Sequence, residues 1–294
     1  MEEKKNMKSS VLILCVNYRN DAETNVFVRA AAGLPSRAAN IVVISNSPAE
    51  ESGELKSLNS IEGVQVLFPE RNLGYFGAAA YGLSSYLAAR SLPDWIIVCN
   101  TDIEFPDPAF FCQLAELYTK DPPAVIGPDI LLVSRNGRPS SRTHQNPHFC
   151  TRPIPSKMRL FVAISRNYFI YAAYELLSSL RYAITNILAG ARRRTVEEAA
   201  AERPRKIYAP FGAFIVFPRQ YFESGGHLNY GSFLFGEEIF VAETVRRLGM
   251  TIVYDPRLRL CHREHGGMLN VPSRQIAHYA AQSARYLVRT YFSD

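Results

Sequence analysis

The sequence holds no Cys-x-x-Cys pair, no GxGxxG run, and no GxxxxGKS or GxxxxGKT run. The glycine absences exclude a standard dinucleotide fingerprint and a P-loop. Five cysteines, an odd total without paired spacing (Cys15, Cys99, Cys112, Cys150 and Cys261), argue against a disulfide framework. Cys15 and Cys99 fall inside apolar runs, so they read as reduced, buried thiols of a cytoplasmic protein. His144, His148 and Cys150 lie close in sequence, but their spacing fits no standard zinc pattern. Met1 to Ser10 is charged and lacks the apolar core of a signal peptide. The apolar, aromatic stretch Leu160 to Leu188 is interrupted by Arg166, Glu175 and Arg181, whereas a spanning helix needs about 20 predominantly apolar residues.

What is present fits a globular protein. The 294 residues are 47% hydrophobic and 20% charged, enough chain for one large α/β domain or two small ones. The net charge of +6 is unevenly placed. Arg135 to Lys206 carries 14 basic and 4 acidic residues, and the rest of the chain carries 19 basic and 23 acidic. A middle segment of this kind faces an anionic partner such as a membrane surface or a nucleic acid, or is a solvated basic insertion. Leu160 to Leu188 lies within it and is followed by Arg192, Arg193 and Arg194. It reads as one or two amphipathic helices on an anionic membrane, or as a helical lid whose apolar face packs on the sheet.

Apolar runs at Val11–Val16, Ile41–Ile44, Val64–Phe68 and Trp95–Cys99 read as strands. Helical spacing over Asp21–Leu34, from about Asn72 to Arg90, and over Pro108–Tyr118 alternates with them, the pattern of βαβ units and a largely parallel sheet. Ala124–Ile126 and Ile130–Val133 read as two short strands separated by Gly127-Pro128, with a hairpin turn at Asn136-Gly137. Phe211–Phe217 is strand-like and leads to a short helix at Pro218–Phe222. A helix from Glu237 ends at Arg246-Arg247-Leu248-Gly249, Thr251–Tyr254 and Leu258–His262 are separate extended runs, and Val271–Phe292 is a helix docked on the body.

The chemistry centres on Trp95 to Glu104. Asn100 and Asp102 fall just past the carboxyl end of a strand buried on both faces, where open α/β sheets place ligands. A carboxylate there is a hard oxygen ligand for Mg²⁺ or Mn²⁺ bound together with substrate phosphates. Alternatively, Asp102 or Asp107 is the N-cap of the next helix. Gly74 and Gly77 let backbone approach a diphosphate at a helix N-terminus, or only let the helix pack closely on the sheet.

Taken in chain order, the motifs resemble those of family 2 glycosyltransferases of GT-A fold, and of their rhamnosyltransferase-like branch in particular. In the first half these are Val16-Asn17-Tyr18-Arg19, Ile44-Ser45-Asn46-Ser47, Asn72-Leu73-Gly74-Tyr75 with Gly77 and Gly82, and Asn100-Thr101-Asp102. In the second they are Gly212-Ala213-Phe214, Gly225-Gly226, Phe235-Gly236-Glu237-Glu238, Arg246-Arg247-Leu248-Gly249, Tyr254-Asp255-Pro256 and His262. The resemblance implies a single GT-A domain with a mixed, mostly parallel sheet flanked by helices. Its parts are a nucleotide-sugar half (about 10–135), a basic amphipathic insertion (about 139–206), an acceptor and catalytic half (about 207–265) and a C-terminal helix (about 271–292).

It further implies an inverting transfer of a sugar, rhamnose in that branch, from a dTDP-, UDP- or GDP-linked donor. The acceptor is expected to be a glycan or lipid-linked hydroxyl in cell-surface glycan assembly, an expectation that rests on the cationic, apolar 156–206 region as the part that holds the enzyme at the cytoplasmic face of a membrane. On this resemblance Asp102 holds Mg²⁺ or Mn²⁺, and His262 is a further ligand or a diphosphate contact. Glu238 takes the acceptor's proton and Glu237 orients the acceptor or the base, although the pair also suits the first turn of a helix. Asn17, Tyr18, Arg19, Ser45, Asn46, Asn72, Gly74, Gly77, Asn100 and Thr101 line the nucleotide-sugar site. The chain departs from the family at Glu238 (commonly Asp), at Phe240 (commonly acidic), at Ser45 (commonly Asp) and at Arg19 (commonly Asn). A non-catalytic nucleotide-sugar-binding relative is the alternative, motivated by Ser45 and Glu238. A sugar nucleotidyltransferase would need a Gly-rich, basic N-terminal loop that the chain lacks, and a nucleic acid is the less favoured partner of the basic segment.

Overall fold

The computed structural model describes residues 9–35, 39–117, 125–133, 139–177, 203–263 and 273–293. The first half is a run of strand and helix pairs: β1 (Val11–Asn17), α1 (Asp21–Ala32), β2 (Ala39–Ser45), β3 (Val64–Leu67), α2 (Tyr75–Leu87) and β4 (Trp95–Cys99). β1 and β4 are apolar at nearly every position because both faces are covered. Leu12 and Leu14 pack in one layer with Phe76 and Leu83 of α2. Val11, Ile13 and Cys15 pack in the other with Phe27 and Val28 of α1.

The chain continues through β5 (Ile103–Glu104), α3 (Phe110–Leu117), β6 (Val125–Val133), β7 (Pro139–His144), α4 (Pro155–Ser165) and α5 (helical over 168–177 as described). It ends with β8 (Arg205–Ile207), β9 (Phe214–Pro218), α6 (Arg219–Glu223), α7 (Glu237–Arg247), β10 (Ile252–Arg263) and α8 (Ser273–Tyr291). The strands form one sheet in the order β3-β2-β1-β4-β9-β6-β10-β5, with β7 on β6 and β8 on β10. β1 to β4, β6 and β10 run in one direction. β9, antiparallel between β4 and β6, runs the other way with β5, β7 and β8. The sheet is therefore mixed and mostly parallel, as the sequence pattern anticipates.

Two breaks expected from the sequence are absent. Val125–Ile126 and Ile130–Val133 belong to the single strand β6, and Ile252–Tyr254 and Leu258–His262 to the single strand β10, with Ala124 outside the described residues. Pro128 is accommodated because it pairs with Asp255, where the register of β10 shifts. Asp255 sustains that irregularity by accepting the Arg257 backbone N–H at 3.0 Å and its Nε at 2.9 Å. The Asn136-Gly137 turn lies outside the described residues.

α4 and α5 are the described helices of this segment, and Met158 of α4 packs on the main core. Both helices pack on α8, where Tyr171 meets Ala277 and Ala280, with Phe161, Tyr168 and Phe235 around them. Residues 178–202, including Arg181 and Arg192 to Arg194, lie outside the described set. Among the described residues, no helix is long and apolar enough to cross a membrane. An ionic hub fastens this region to the body. Glu243 of α7, fully buried, accepts hydrogen bonds from Arg152 Nε (2.7 Å), Tyr208 Oη (2.8 Å) and Arg246 Nε (2.9 Å). Arg152 also donates to the Tyr291 carbonyl of α8 at 2.9 Å.

Candidate active site

The candidate residues gather at the carboxyl edge of β1, β2 and β4. Several of those expected to line a nucleotide site are tied to one another there. Asn17, fully buried, donates to Asp21 (2.8 Å) and Ser45 Oγ (3.1 Å) and accepts from Thr24 Oγ1 (3.0 Å). Asn46 donates to the Gly74 carbonyl (2.9 Å) and accepts the Leu73 N–H (3.0 Å). Asn72 accepts the Gly74 N–H at 2.9 Å. These side chains shape the loop before α2. Tyr18 and Arg19 stand out into solvent, 38% and, for the Arg19 side chain, 61% exposed.

Gly74 has φ +74°, and a Cβ there would lie 1.9 Å from the Phe233 carbonyl oxygen. Its small size thus serves contact between the two halves of the site. Gly77 meets only Leu73 Cβ, at an ordinary distance.

Thr101 is buried, and its Oγ1 is 3.5 Å from Asn20 Nδ2. Asn100 donates its backbone N–H to the Ala213 carbonyl at 2.9 Å. The helix cap is Asp107, whose carboxylate accepts the Ala109 N–H at 2.8 Å, so Asp102 is free of that task. β5 pairs Ile103 with His262, which sets Asp102 beside the histidine. Asp102 Oδ1 and His262 Nε2 stand 3.1 Å apart, and both atoms are buried without a hydrogen-bond partner.

The neighbour on the far side of the imidazole accounts for this. His262 Nδ1 lies 2.8 Å from Gln145 Oε1, an acceptor, so Nδ1 donates there, and in the neutral imidazole Nε2 presents a lone pair. In that tautomer two acceptors face one another, an arrangement that a shared cation would satisfy. The donor set, one carboxylate oxygen and one imidazole nitrogen, suits a divalent ion that takes its remaining ligands from phosphates and water. Among the described residues no group of three or more His, Cys, Asp and Glu side chains converges as a metal site. His144 is engaged with buried Asp129 (2.6 Å), and His148 packs against Phe149 and Phe211.

The sequence reading did not single out Gln145. The next residue, Asn146, is buried, donates to the Pro128 carbonyl (2.8 Å) and accepts the Phe211 N–H (2.6 Å). This short stretch therefore holds both the histidine and the Phe211-Gly212 loop.

That loop bears on the second pair of carboxylates. A Cβ on Gly212 would stand 2.5 Å from Glu238 Oε1, so the carboxylate lies directly against this glycine. Tyr75 donates to the Gly212 carbonyl at 2.9 Å. At the start of α7, Phe235 (φ 71°) and Gly236 (φ 80°) both adopt left-handed backbone. The costly one, at Phe235, is held by its carbonyl, which accepts from Tyr230 Oη (2.7 Å) and Ser283 Oγ (2.6 Å). The turn projects Glu238 half-buried toward Gly212 and buries Glu237, whose Oε1 has no partner.

Burial, and then the Glu238 charge, push the Glu237 carboxyl up to about 8. A raised folded-state pKa means the native chain holds this proton more tightly than the unfolded one. The associated stability is complete below the ordinary carboxylate value of about 4.3 and is lost as pH rises to about 8. Glu237→Gln is expected to remove that loss. Melting temperatures across pH 4 to 9 should show the variant gaining on the parent by roughly 5 kcal/mol toward alkaline pH. Parallel curves would refute the assignment.

No family model and no curated protein matches the sequence. Solved structures do. GalNAc-T7, in a crystal structure with UDP, GalNAc and Mn²⁺, is similar at a TM-score of 0.59 and 15% identity, over 96% of this chain and 48% of its own. This chain thus spans about half the length of GalNAc-T7. The mannosyltransferase PcManGT from Pyrobaculum calidifontis, in complex with GDP-Man and Mn²⁺, is similar at 0.50 and 10% identity, over 98% of this chain and 72% of its own. A mycobacterial protein is similar at 0.50 and 16% identity, over 96% and 74%. At these identities the likeness defines the fold, and the fold is that of GT-A glycosyltransferases.

Proposed function

We propose that the chain is an inverting, metal-dependent glycosyltransferase of the family 2 type. It moves a sugar from a nucleotide-diphosphate donor to an acceptor hydroxyl. The observation that carries the reading is the buried, donor-less pair Asp102 Oδ1 and His262 Nε2 at the carboxyl edge of a GT-A sheet. Asp102 and His262 would hold Mg²⁺ or Mn²⁺, which supplies Lewis-acid neutralisation of the departing diphosphate. The loops closed by Asn17, Asn46 and Asn72 receive the nucleotide. Glu238 takes the proton of the attacking hydroxyl, and Glu237, largely protonated near neutrality, orients the acceptor. The donor is dTDP-, UDP- or GDP-linked, with rhamnose the sugar suggested by the motif pattern. The acceptor is a lipid-linked or polysaccharide hydroxyl presented at the cytoplasmic face of a membrane.

The test is a thermal-shift screen of dTDP-, UDP- and GDP-sugars with and without Mn²⁺ or Mg²⁺, on the intact chain and on Asp102→Ala. A ligand at about 100 times its Kd stabilises the native state by about 2.7 kcal/mol. A shift that requires metal, for one donor series, and that disappears in Asp102→Ala is expected. No shift with any donor, or one indifferent to Asp102, would overturn the reading.

A second outcome follows from Gln145. Gln145→Leu removes the acceptor that fixes the imidazole and is expected to weaken Mn²⁺ binding about 10- to 100-fold by titration calorimetry. Gln145→Glu, which still accepts from Nδ1, should bind as the parent does. Unchanged affinity in Gln145→Leu would show that the tautomer is set elsewhere.

A further inference from the structure

The face formed by α4, α5 and the start of α8 has an unusual surface. Eleven large apolar side chains are exposed among the described residues, and seven of them fall between residues 154 and 177, including Leu160, Phe169, Ile170, Leu176 and Leu177. Phe169 is 73% exposed and Leu176 64%. In α5 Tyr171 is buried and Tyr168 half-buried in the same cluster, and most of the remaining side chains face outward. Such a contiguous apolar face marks an interaction site. The basic residues here are Lys157, Arg159 and Arg166, and the one carboxylate, Glu175, is turned onto the Tyr171 hydroxyl.

Between the junction of α4 with α5 and the first turn of α8 lies an open depression of about 400 Å³, lined by Arg166, Asn167, Tyr168, Phe169 and Arg274. Arg274 stacks over the Tyr168 ring at 5.4 Å, and among the described residues neither guanidinium has a carboxylate partner.

We propose that this face docks on an anionic lipid bilayer, with the apolar side chains of α4 and α5 entering the acyl boundary and Arg166 and Arg274 binding lipid phosphate. The pairing of a basic rim with an apolar helical face is the physical signature of an interfacial helix. Planar guanidiniums beside aromatic rings suit phosphate oxygens. Charge selects the bilayer over a second copy of this chain, because two copies would bring like-charged rims together. Position points the same way. Phe235 packs in the cluster of Tyr171 and Ala277, immediately before Gly236 and Glu237, and Phe233 stacks on Tyr279 at 4.7 Å. A docked bilayer would thus lie at the acceptor side of the site. The inference rests on the reading of the acceptor as membrane-held, and it names the surface that meets the membrane.

The experiment is co-sedimentation of the full chain with vesicles of phosphatidylcholine alone and mixed with phosphatidylglycerol, at low and raised salt. Binding to the mixed vesicles, weakened by salt, is expected. The Arg166→Gln/Arg274→Gln double variant should bind roughly 10- to 30-fold more weakly, since each basic residue near an anionic surface contributes about 1 kcal/mol. Phe169→Ser/Leu177→Ser should lose binding at all salt concentrations. Both variants should keep the parent's melting temperature and its donor-induced shift, which separates a failure of docking from a failure of the glycosyltransferase reading. Absence of binding to mixed vesicles, or binding by the double arginine variant equal to the parent's, would overturn the proposal. So would a solution dimer broken by Phe169→Ser/Leu177→Ser.

Discussion

Glu238→Gln is expected to slow sugar transfer by about 10²- to 10⁴-fold, the usual contribution of a positioned general base. Donor binding and melting temperature should be nearly unchanged. Glutamine keeps the length and shape of the side chain, so the close approach to Gly212 and the Tyr75 bond to its carbonyl persist. On the proposed role, what it removes is the basic carboxylate that takes the acceptor's proton. The comparison with Glu237→Gln assigns the roles. Glu237 is buried and holds a proton near neutrality, so its amide variant resembles the native state and should transfer at a rate much closer to the parent's. Steady-state transfer measured for both variants decides the matter. If Glu237→Gln is the inactive one and Glu238→Gln is not, the two carboxylates exchange parts.

Glu243→Ala should cost about 2 kcal/mol of stability, because the hydrogen bonds to a buried carboxylate are lost while Arg152 and Arg246 stay in reach of water, and lower the melting temperature by roughly 4–8 °C. Three donors from three parts of the chain converge on this carboxylate, and Arg152 carries the link onward to the end of α8. Burial alone would raise its pKa, but the hydrogen bonds from Arg152, Tyr208 and Arg246 outweigh burial and hold it below the ordinary range. The pH dependence is therefore opposite to that of Glu237. Stability from Glu243 is present above about pH 4.3 and is lost as pH falls through its lowered value. The parent should show an acid limb in its melting curve that Glu243→Ala lacks. An alanine variant as stable as the parent at pH 7 would mean that the hub contributes nothing net.

The first half of the fold is legible because local chemistry and tertiary position agree there. Trp95–Cys99 is an apolar run because it is buried on both faces, and Asp102 follows it where the sheet ends. The breaks at Gly127-Pro128 and after Tyr254 mislead because a proline and a polar turn can sit inside a strand when its neighbour is irregular at the same level. Gln145 is illegible for a different reason. It lies in a Pro-rich stretch without periodicity, and its meaning comes from His262, more than a hundred residues later. The meeting of His262 with Asp102 depends on β5, a strand of two residues that no pattern announces. Polar residues at strand ends pose a further problem. Sequence alone cannot separate Asn17 and Asn46, occupied in holding loops, from side chains such as Tyr18 that are open to a ligand.

The position of β9 has a consequence for synthesis on the ribosome. β4 is paired on one side with β1, made early, and on the other with β9, which ends at Pro218. Until that residue clears the exit tunnel, Trp95–Cys99 offers an open hydrogen-bonding edge flanked by apolar surface. Unprotected edges of this kind invite pairing between chains. Nascent chains stalled before Pro218 should therefore recruit chaperones or aggregate. The strand that closes this edge of β4 is therefore made only after about three-quarters of the chain, and the exposed edge must be kept from other chains until then.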